Sequence, residues 1–200
     1  MEETYMNTLE AIKTRRSTRR MKKEIPDRRL IEQVIEAGRL APSGSNSQLT
    51  HFIVITNPEV LEELAVIVKN AFAEMEIQDD MYATMKGSIT AAKTGKYVFH
   101  YNAPVLIVTA NQKTYPNAIA DSACALENMM IAANELDLGA CWINPLHWLD
   151  DNSSVRKYLE TLGLSPEETV TGGLILGYGE EGSPVRGERE IKGNPVTWVE

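Results

Sequence analysis

The chain has 200 residues, a formal net charge of -8 and a sequence pI near 5.0. This acidity argues against a duplex nucleic-acid binder and against a polybasic membrane anchor. No apolar run approaches transmembrane length, the first residues lack the apolar core of a signal peptide, and two cysteines are too few for a secreted disulfide framework. We therefore expect a cytosolic protein with reduced thiols.

The first half of the chain predicts helices and one strand around a basic cluster. A short helix over residues 6–14 comes first, and Asp27 begins a second helix whose apolar residues recur at helical spacing until a proline ends it. Residues 51–56 are apolar and β-branched, which predicts a strand. The Asn57-Pro58 pair supplies the N-cap and the first residue of a third helix, which reaches into the 70s.

The second half begins with an ambiguous stretch. Residues 74–100 show no clear period and are either a mobile loop or a short helical insert near a site. Residues 103–110 form the clearest buried strand, and a long helix from about 117 to 138 carries small and apolar residues on most of its circumference, which predicts a central position. The remaining predicted elements are a strand over 139–144, a helix over 153–162 and a strand over 170–178.

The chain shows no composition break and no internal repeat, which favours one α+β domain. Its polar end finishes with apolar residues at Val196, Trp198 and Val199. We expect this tail to dock either on its own domain or on a partner subunit.

A dense positive cluster stands out in this acidic chain. Nine of the 20 lysines and arginines lie between Lys13 and Arg29, and they include the run Arg15-Arg16-Ser17-Thr18-Arg19-Arg20. Guanidinium forks bind phosphate oxygens in pairs, and a hydroxyl adds a neutral donor. A solvated basic face is the alternative interpretation. The hydroxyls within the run favour a phosphate site.

A second run, Ala41-Pro42-Ser43-Gly44-Ser45-Asn46-Ser47-Gln48, joins the second helix to the first strand. Loops between helices and strands often have such a composition. Its amides and hydroxyls are also the groups that recognise the edge of a heteroaromatic ring by hydrogen bonding. Together with the arginine run, the loop predicts a cofactor with a ring and a phosphate.

The remaining motifs do not support a dinucleotide-binding fold, a metal site or a hydrolase. Residues 177–182 fit the pattern G-x-G-x-x-G, but no helix is predicted after them and two glutamates would repel phosphates, so we interpret them as a turn. The histidines and cysteines do not stand at metal-ligand spacing, and no G-x-S-x-G nucleophile motif occurs.

The two runs, in this order, resemble the nitroreductase family of flavin mononucleotide (FMN) enzymes, and the likeness extends over nearly the whole chain. Residues 15–19 match the family's R-R-S-x-R, and residues 41–48 match its A-P-S-x-x-N-x-Q. Residues 120–123 and 136–143 resemble its D…LAA…LGLG..W segment. Arg186 and Arg189 take the place of a late basic pair.

The resemblance implies a three-layer α+β fold with a mixed, mainly antiparallel sheet. It also implies an intertwined homodimer with flavin at the interface. The tail, from about residue 185 to 200, would then dock on the partner subunit.

The same resemblance implies roles for the arginine run. Arg15 and Ser17 would bind the flavin phosphate, joined by Arg186 or Arg189. Arg16 would lie near the ribityl chain or contribute through its backbone.

Around the ring, Arg19 would lie toward the pyrimidine edge, where a cation favours the reduced, anionic flavin. Asn144, or the backbone around Ile143, would face flavin N5. The partner subunit would contribute loop residues along the ring: Pro42, Ser43, Asn46 and Gln48.

The chain departs from the family pattern at three places. The late basic pair is spaced differently, which leaves the assignment between Arg186 and Arg189 open. The family often has a glycine after the Trp-Ile strand, where this chain has Asn144-Pro145 and therefore no amide donor at Pro145. An aromatic residue often follows the loop, where this chain has Leu49-Thr50-His51. These changes bear chiefly on the range of substrates.

The implied function is an oxidoreductase in which NADH or NADPH reduces flavin, and a nitroaromatic, a quinone or a similar small acceptor takes the electrons. We assign no catalytic residue, because the cofactor carries the chemistry. Alternatives are a dehydrogenase whose own substrate supplies hydride, a flavin-binding carrier or sensor without turnover, and a protein that binds polyanions through its basic cluster.

Overall fold

A computed structural model describes residues 7–188 and 190–200. The helices are α1 (Thr8–Thr14), α2 (Arg28–Arg39), α3 (Pro58–Glu74), α4 (Ala83–Lys93), α5 (Ala118–Glu135), α6 (Pro145–Trp148) and α7 (Ser153–Thr161). The strands are β1 (His51–Ile55), β2 (Val105–Gln112), β3 (Gly139–Ile143) and β4 (Glu168–Gly177). In the described ranges, no helix has both the length and the apolar character needed to cross a membrane.

The predicted helix starts are confirmed by their caps. The Asp27 carboxylate accepts a hydrogen bond from the Arg29 N–H at 2.7 Å at the start of α2. The Asn57 side chain accepts from the Glu59 N–H at 2.9 Å, and Pro58 is the first residue of α3. These bonds satisfy backbone donors that a helix start leaves unpaired.

The sheet has the strand order β1-β2-β4-β3, and all three strand pairs are antiparallel. The register places Ile107 of β2 opposite Leu174 of β4, with a bulge at Thr109/Ala110. Outside the named strands, Ser17 forms a parallel bridge with Ala140 at the edge of β3. The four named strands therefore form an antiparallel sheet, as the predicted mainly antiparallel sheet requires, and the parallel pairing is this isolated bridge.

Helices cover both faces of the sheet. Along β2, Leu106 and Val108 pack with the apolar sides of α3 and α7, whereas Val105 and Ile107 pack with α2 and α5. This alternation follows from the two-residue period of a strand. Because both faces are covered, β2 and β4 are buried along almost their whole length. The three layers and the central position of α5 are confirmed.

Two helices differ from the sequence-based picture. The ambiguous residues 74–100 contain α4, which confirms a short helical insert, and its position near a site stays a prediction. The buried side of α4 carries Ile89 and Ala92, while threonines and lysines weaken its apolar period. No sequence pattern predicts α6, because a helix of four residues beginning at Pro145 is too short to show a period.

The end of the described chain leaves the sheet. After β4, residues 178–188 contain no helix, and the Ser183 N–H donates to the Glu180 carbonyl at 2.9 Å, so the turn interpretation of the glycine motif is confirmed. Residues 190–200 form neither helix nor strand. Trp198 and Val199 are 83% and 95% exposed, and docking of the tail on a partner stays a prediction.

Candidate functional site

The arginine run, residues 15–20, lies extended along the edge of β3. Beside the Ser17–Ala140 bridge, the Thr18 N–H donates to the Ala140 carbonyl at 3.0 Å. The Thr18 side chain is buried, and its hydroxyl donates to the Pro184 carbonyl at 2.7 Å. The run is therefore fixed between β3 and the segment that follows β4.

Side chains of the run alternate between two sides, as an extended backbone requires. The Arg16 and Arg20 guanidinium groups donate to the carbonyls of Glu188 at 2.9 Å and Gly182 at 3.1 Å. They anchor the segment after β4, so the ribityl contact of Arg16 stays a prediction. Three side chains lie on the opposite side of the extended segment: Arg15, Ser17 and Arg19.

The guanidinium of Arg15 is largely enclosed, with a side chain only 13% exposed. Its Nε lies 3.6 Å from Glu127 Oε1, which is too far for a hydrogen bond, and this buried donor has no hydrogen-bond partner in the described part of the chain. A buried donor without an acceptor costs free energy. A phosphate oxygen would supply that acceptor, so the residues present fit the phosphate of FMN.

Positive charge converges on one point of β3. Burial raises the pKa of the Cys141 thiol, while the charge of Arg19, a hydrogen bond from Ser17 and the charge of Arg15 oppose the rise. The Arg19 guanidinium also lies over the Tyr101 ring, 5.9 Å from its centroid, in a cation–π contact. The structure thus brings together three of the predicted cofactor ligands on one side of the strand.

The end of β3 presents a polar side chain with a fixed orientation. Ile143 is buried, and Asn144 accepts a hydrogen bond from Trp142 Nε1 at its Oδ1, at 2.6 Å. This bond assigns the amide orientation and leaves its Nδ2 hydrogens without a partner among the described residues. Pro145 follows as the first residue of α6 and offers no backbone donor.

The loop over residues 41–48 forms a second polar surface. Pro42, Asn46 and Gln48 are exposed, and Ser43 is half-buried. Within the described chain, no hydrogen bond or ion pair joins this loop to the arginine run. One copy of the chain therefore carries the two predicted halves of the cofactor site separately, and the contact between a loop and the partner's flavin stays a prediction.

Of the late basic pair, Arg186 and Arg189, the structure describes only Arg186. The Arg186 backbone forms an antiparallel bridge with Arg15, but its guanidinium donates to the Asn134 carbonyl at 2.6 Å and forms an ion pair with Asp137 at 2.7 Å. Arg189 lies outside the described residues. Phosphate binding by either residue stays a prediction.

The sequence assigned no site role to three residues that shape these surfaces. Tyr101 lies against Arg19, and both Asp121 and Tyr115 bind the loop. The available signal for Asp121 was a carboxylate in the first turn of the predicted central helix. A separate cavity of about 540 Å³ lies between α3 and residues 95–104, and none of the predicted site residues lines it.

Comparison with known proteins places the chain in a family. The profile of the Nitroreductase family matches residues 12–178, so the chain belongs to this family. A Bacteroides fragilis nitroreductase with bound FMN is 35% identical, with a TM-score of 0.86 over 98% of this chain and 100% of that chain. A Desulfitobacterium hafniense nitroreductase with bound FMN is 26% identical, with a TM-score of 0.81 and the same coverage of 98% and 100%.

A further relative is known from its sequence. A Methanothermobacter thermautotrophicus protein, provisionally named NADH dehydrogenase/NAD(P)H nitroreductase, is 28% identical over 187 residues, which are 90% of this chain and 82% of the relative. The resemblance found in the two polar runs is therefore confirmed at the level of the family.

Proposed function

We propose that this chain is an FMN-dependent oxidoreductase that uses NADH or NADPH to reduce a nitroaromatic, a quinone or a similar small acceptor. The observation that carries the proposal is the enclosed Arg15 guanidinium, whose Nε lacks a hydrogen-bond partner in the described chain. The FMN-bound relatives from B. fragilis and D. hafniense support the cofactor. The name of the M. thermautotrophicus relative supports the electron donor.

When bound, FMN would supply the redox chemistry, namely hydride acceptance from NADH or NADPH and electron transfer to the acceptor. The chain supplies binding and electrostatics. Arg15 and Ser17 bind the phosphate, and Arg19 stabilises negative charge at the pyrimidine edge. At the end of β3, Asn144 would offer its amide hydrogens to the ring.

We further propose that the working unit is a homodimer in the cytosol, where NADH and NADPH are available. The loop over residues 41–48 and the arginine run do not bind each other within the described chain. A second copy would supply the loop to the cofactor of the first. The exposed Trp198 and Val199 would pack on that second copy.

FMN binding is the first test. The visible spectrum of the purified protein should show flavin bands, and the apo-protein should quench the fluorescence of added FMN. Because hydrogen bonds to charged groups are worth roughly 1.5–3 kcal/mol, the variant Arg15→Ala should raise the dissociation constant about 10- to 100-fold. Arg28→Ala is the matched control, since Arg28 is an exposed residue that forms an ion pair with Glu32 on α2.

Turnover is the second test. After a quinone is added, the oxidation of NADPH or NADH is measured as the loss of absorbance of the reduced nucleotide. This oxidation should depend on bound FMN. A protein that binds FMN but oxidises neither nucleotide would contradict the proposed electron donor, and it would be a carrier, a sensor or a dehydrogenase with another hydride donor. A colourless protein that does not quench FMN fluorescence would overturn the proposed cofactor and function together.

A further inference from the structure

A buried carboxylate lies beneath the polar loop. Asp121, in the first turn of α5, is only 7% exposed and has no ion pair with a lysine or an arginine in the described ranges. Its two oxygens accept hydrogen bonds from the Gly44 N–H at 3.1 and 3.2 Å. The positive end of α5 also favours a negative charge here. The hydrogen bonds from Gly44 thus stabilise the buried carboxylate and at the same time hold the loop in place.

Tyr115 fixes a second point of the same loop. Its hydroxyl lies 2.9 Å from Asp121 Oδ2 and 3.1 Å from the Gly44 carbonyl, and it accepts a hydrogen bond from the Ser47 hydroxyl at 2.9 Å. A hydroxyl has one hydrogen, and the charged carboxylate is the stronger acceptor. Asp121 and Tyr115 therefore act as one unit that holds both Gly44 and Ser47.

The loop needs such a unit because its backbone conformation is unfavourable in free energy. Ser45, Asn46 and Gln48 have φ values of +53°, +54° and +52°, which side chains with a Cβ rarely adopt. Such conformations persist only when surrounding contacts determine them. Gly44 must also approach closely, since a Cβ there would lie 2.6 Å from the Tyr115 hydroxyl oxygen.

We propose that Asp121 and Tyr115 are positioning residues of the cofactor site. They fix the left-handed residues of the loop, and so Ser43, Asn46 and Gln48 have their orientation before the cofactor binds. An ordered loop loses less conformational entropy on binding, which increases affinity. The inference rests on the proposed function in one respect, namely that the loop contacts FMN.

The test uses two readouts on the purified full-length protein: hydrogen exchange of the loop amides, and the FMN dissociation constant from fluorescence quenching. Tyr115→Phe removes the hydroxyl and keeps the ring. We expect faster exchange at Gly44 and Ser47 and a dissociation constant about tenfold higher. Tyr158→Phe is the matched control, because its hydroxyl binds Glu63 at 2.8 Å, between α3 and α7, and should change neither readout.

A second pair of variants examines the carboxylate. Asp121→Asn keeps a carbonyl acceptor for the Gly44 N–H, whereas Asp121→Ala removes it. We expect intermediate exchange and affinity for the first variant and the largest loss for the second. If Asp121→Ala does not fold, Tyr115→Phe and Asp121→Asn decide the question.

Wild-type exchange of the loop in Tyr115→Phe and Asp121→Asn would overturn the proposal, and so would faster exchange with unchanged FMN affinity. A wild-type protein that does not bind FMN refutes the proposed function instead. In that case the exchange rates still show whether these two residues hold the loop.

Discussion

The guanidinium of Arg186 closes the carboxyl end of α5 by donating from Nη2 to the carbonyl of Asn134 at 2.6 Å. A second donor, Nε, reaches the same carbonyl at 3.1 Å. The Asn134 side chain in turn donates to the Ala11 carbonyl at 2.8 Å. Since a helix end leaves carbonyls unpaired and carries negative partial charge, a cation is well placed there. These contacts connect the segment after β4, helix α5 and the helix that precedes the arginine run.

Removal of this cation should destabilise the fold. We expect Arg186→Ala to lower the free energy of unfolding by about 1.5–3 kcal/mol, because charged hydrogen bonds to carbonyls are lost. Urea denaturation measures the change. Arg20→Ala, which loses one exposed hydrogen bond to the Gly182 carbonyl, should cost less. Equal losses in the two variants would contradict the capping role.

Close packing at Gly139 should fix the arginine run. A Cβ added there would lie 2.7 Å from Thr18 Cγ2 and 2.9 Å from Thr18 Cβ. Because overpacking a core typically costs about 1–3 kcal/mol, we expect Gly139→Ala to destabilise the protein by that amount. It should also weaken FMN binding, since Thr18 lies between the proposed ligands Ser17 and Arg19.

Gly87→Ala is the control for this substitution. Gly87 lies in α4, where an added Cβ meets nothing within 4 Å, so alanine should stabilise the helix by up to about 1 kcal/mol. Thermal denaturation should show a lower melting temperature for Gly139→Ala and a higher one for Gly87→Ala. A stabilising effect of Gly139→Ala would show that the run can move away from β3.

His100 should make the fold sensitive to acid. It is 5% exposed, and burial lowers the pKa of its imidazole. Below the ordinary pKa of about 6.5, the unfolded chain binds a proton that the folded chain excludes, so stability falls as the pH falls. We expect the difference in unfolding free energy between the wild type and His100→Gln to narrow between about pH 7.5 and 5.5. A difference independent of pH would show that His100 does not titrate differently in the two states.

A partly enclosed ion pair stabilises the region around α7. The Arg156 side chain, 15% exposed, donates to Asp150 at 3.0 Å and to the Glu168 carbonyl at 2.7 Å. Breaking a buried pair leaves an uncompensated charge, so Arg156→Ala should cost about 3–5 kcal/mol. Arg28→Ala breaks an exposed pair with Glu32 and should cost less than about 0.5 kcal/mol in the same urea denaturation. A loss of similar size in both variants would contradict this prediction.

Strong local signals explain what could be predicted of the fold. Asn57 and Pro58 mark a helix start by chemistry that acts within one turn, and residues 103–110 are apolar because helices cover both faces of β2. The helix α4 was ambiguous because only one narrow side of it is buried, at Ile89 and Ala92. Elements with few buried residues carry little period in their sequence.

The sequence predicted which types of residue form the candidate site. It did not predict which of them face the site and which bind other parts of the chain. Arg15 and Arg16 are identical in chemistry, and only the alternation of an extended backbone directs Arg16 to the Glu188 carbonyl. Asp121 binds Gly44 across 77 positions of sequence. Such a contact depends on how α2 and α5 pack, and no local pattern reports it.

The uncovered end of the chain bears on how the protein should be handled. Four apolar side chains, each 73% to 95% exposed, lie on a segment without regular structure: Ile191, Val196, Trp198 and Val199. Burial of apolar surface is worth roughly 25 cal/mol per Å², so association that covers them is favoured and follows mass action. On that basis the melting temperature should rise with protein concentration. If the cofactor binds between two copies, as proposed, dilution without heat or denaturant would be the mildest way to release it.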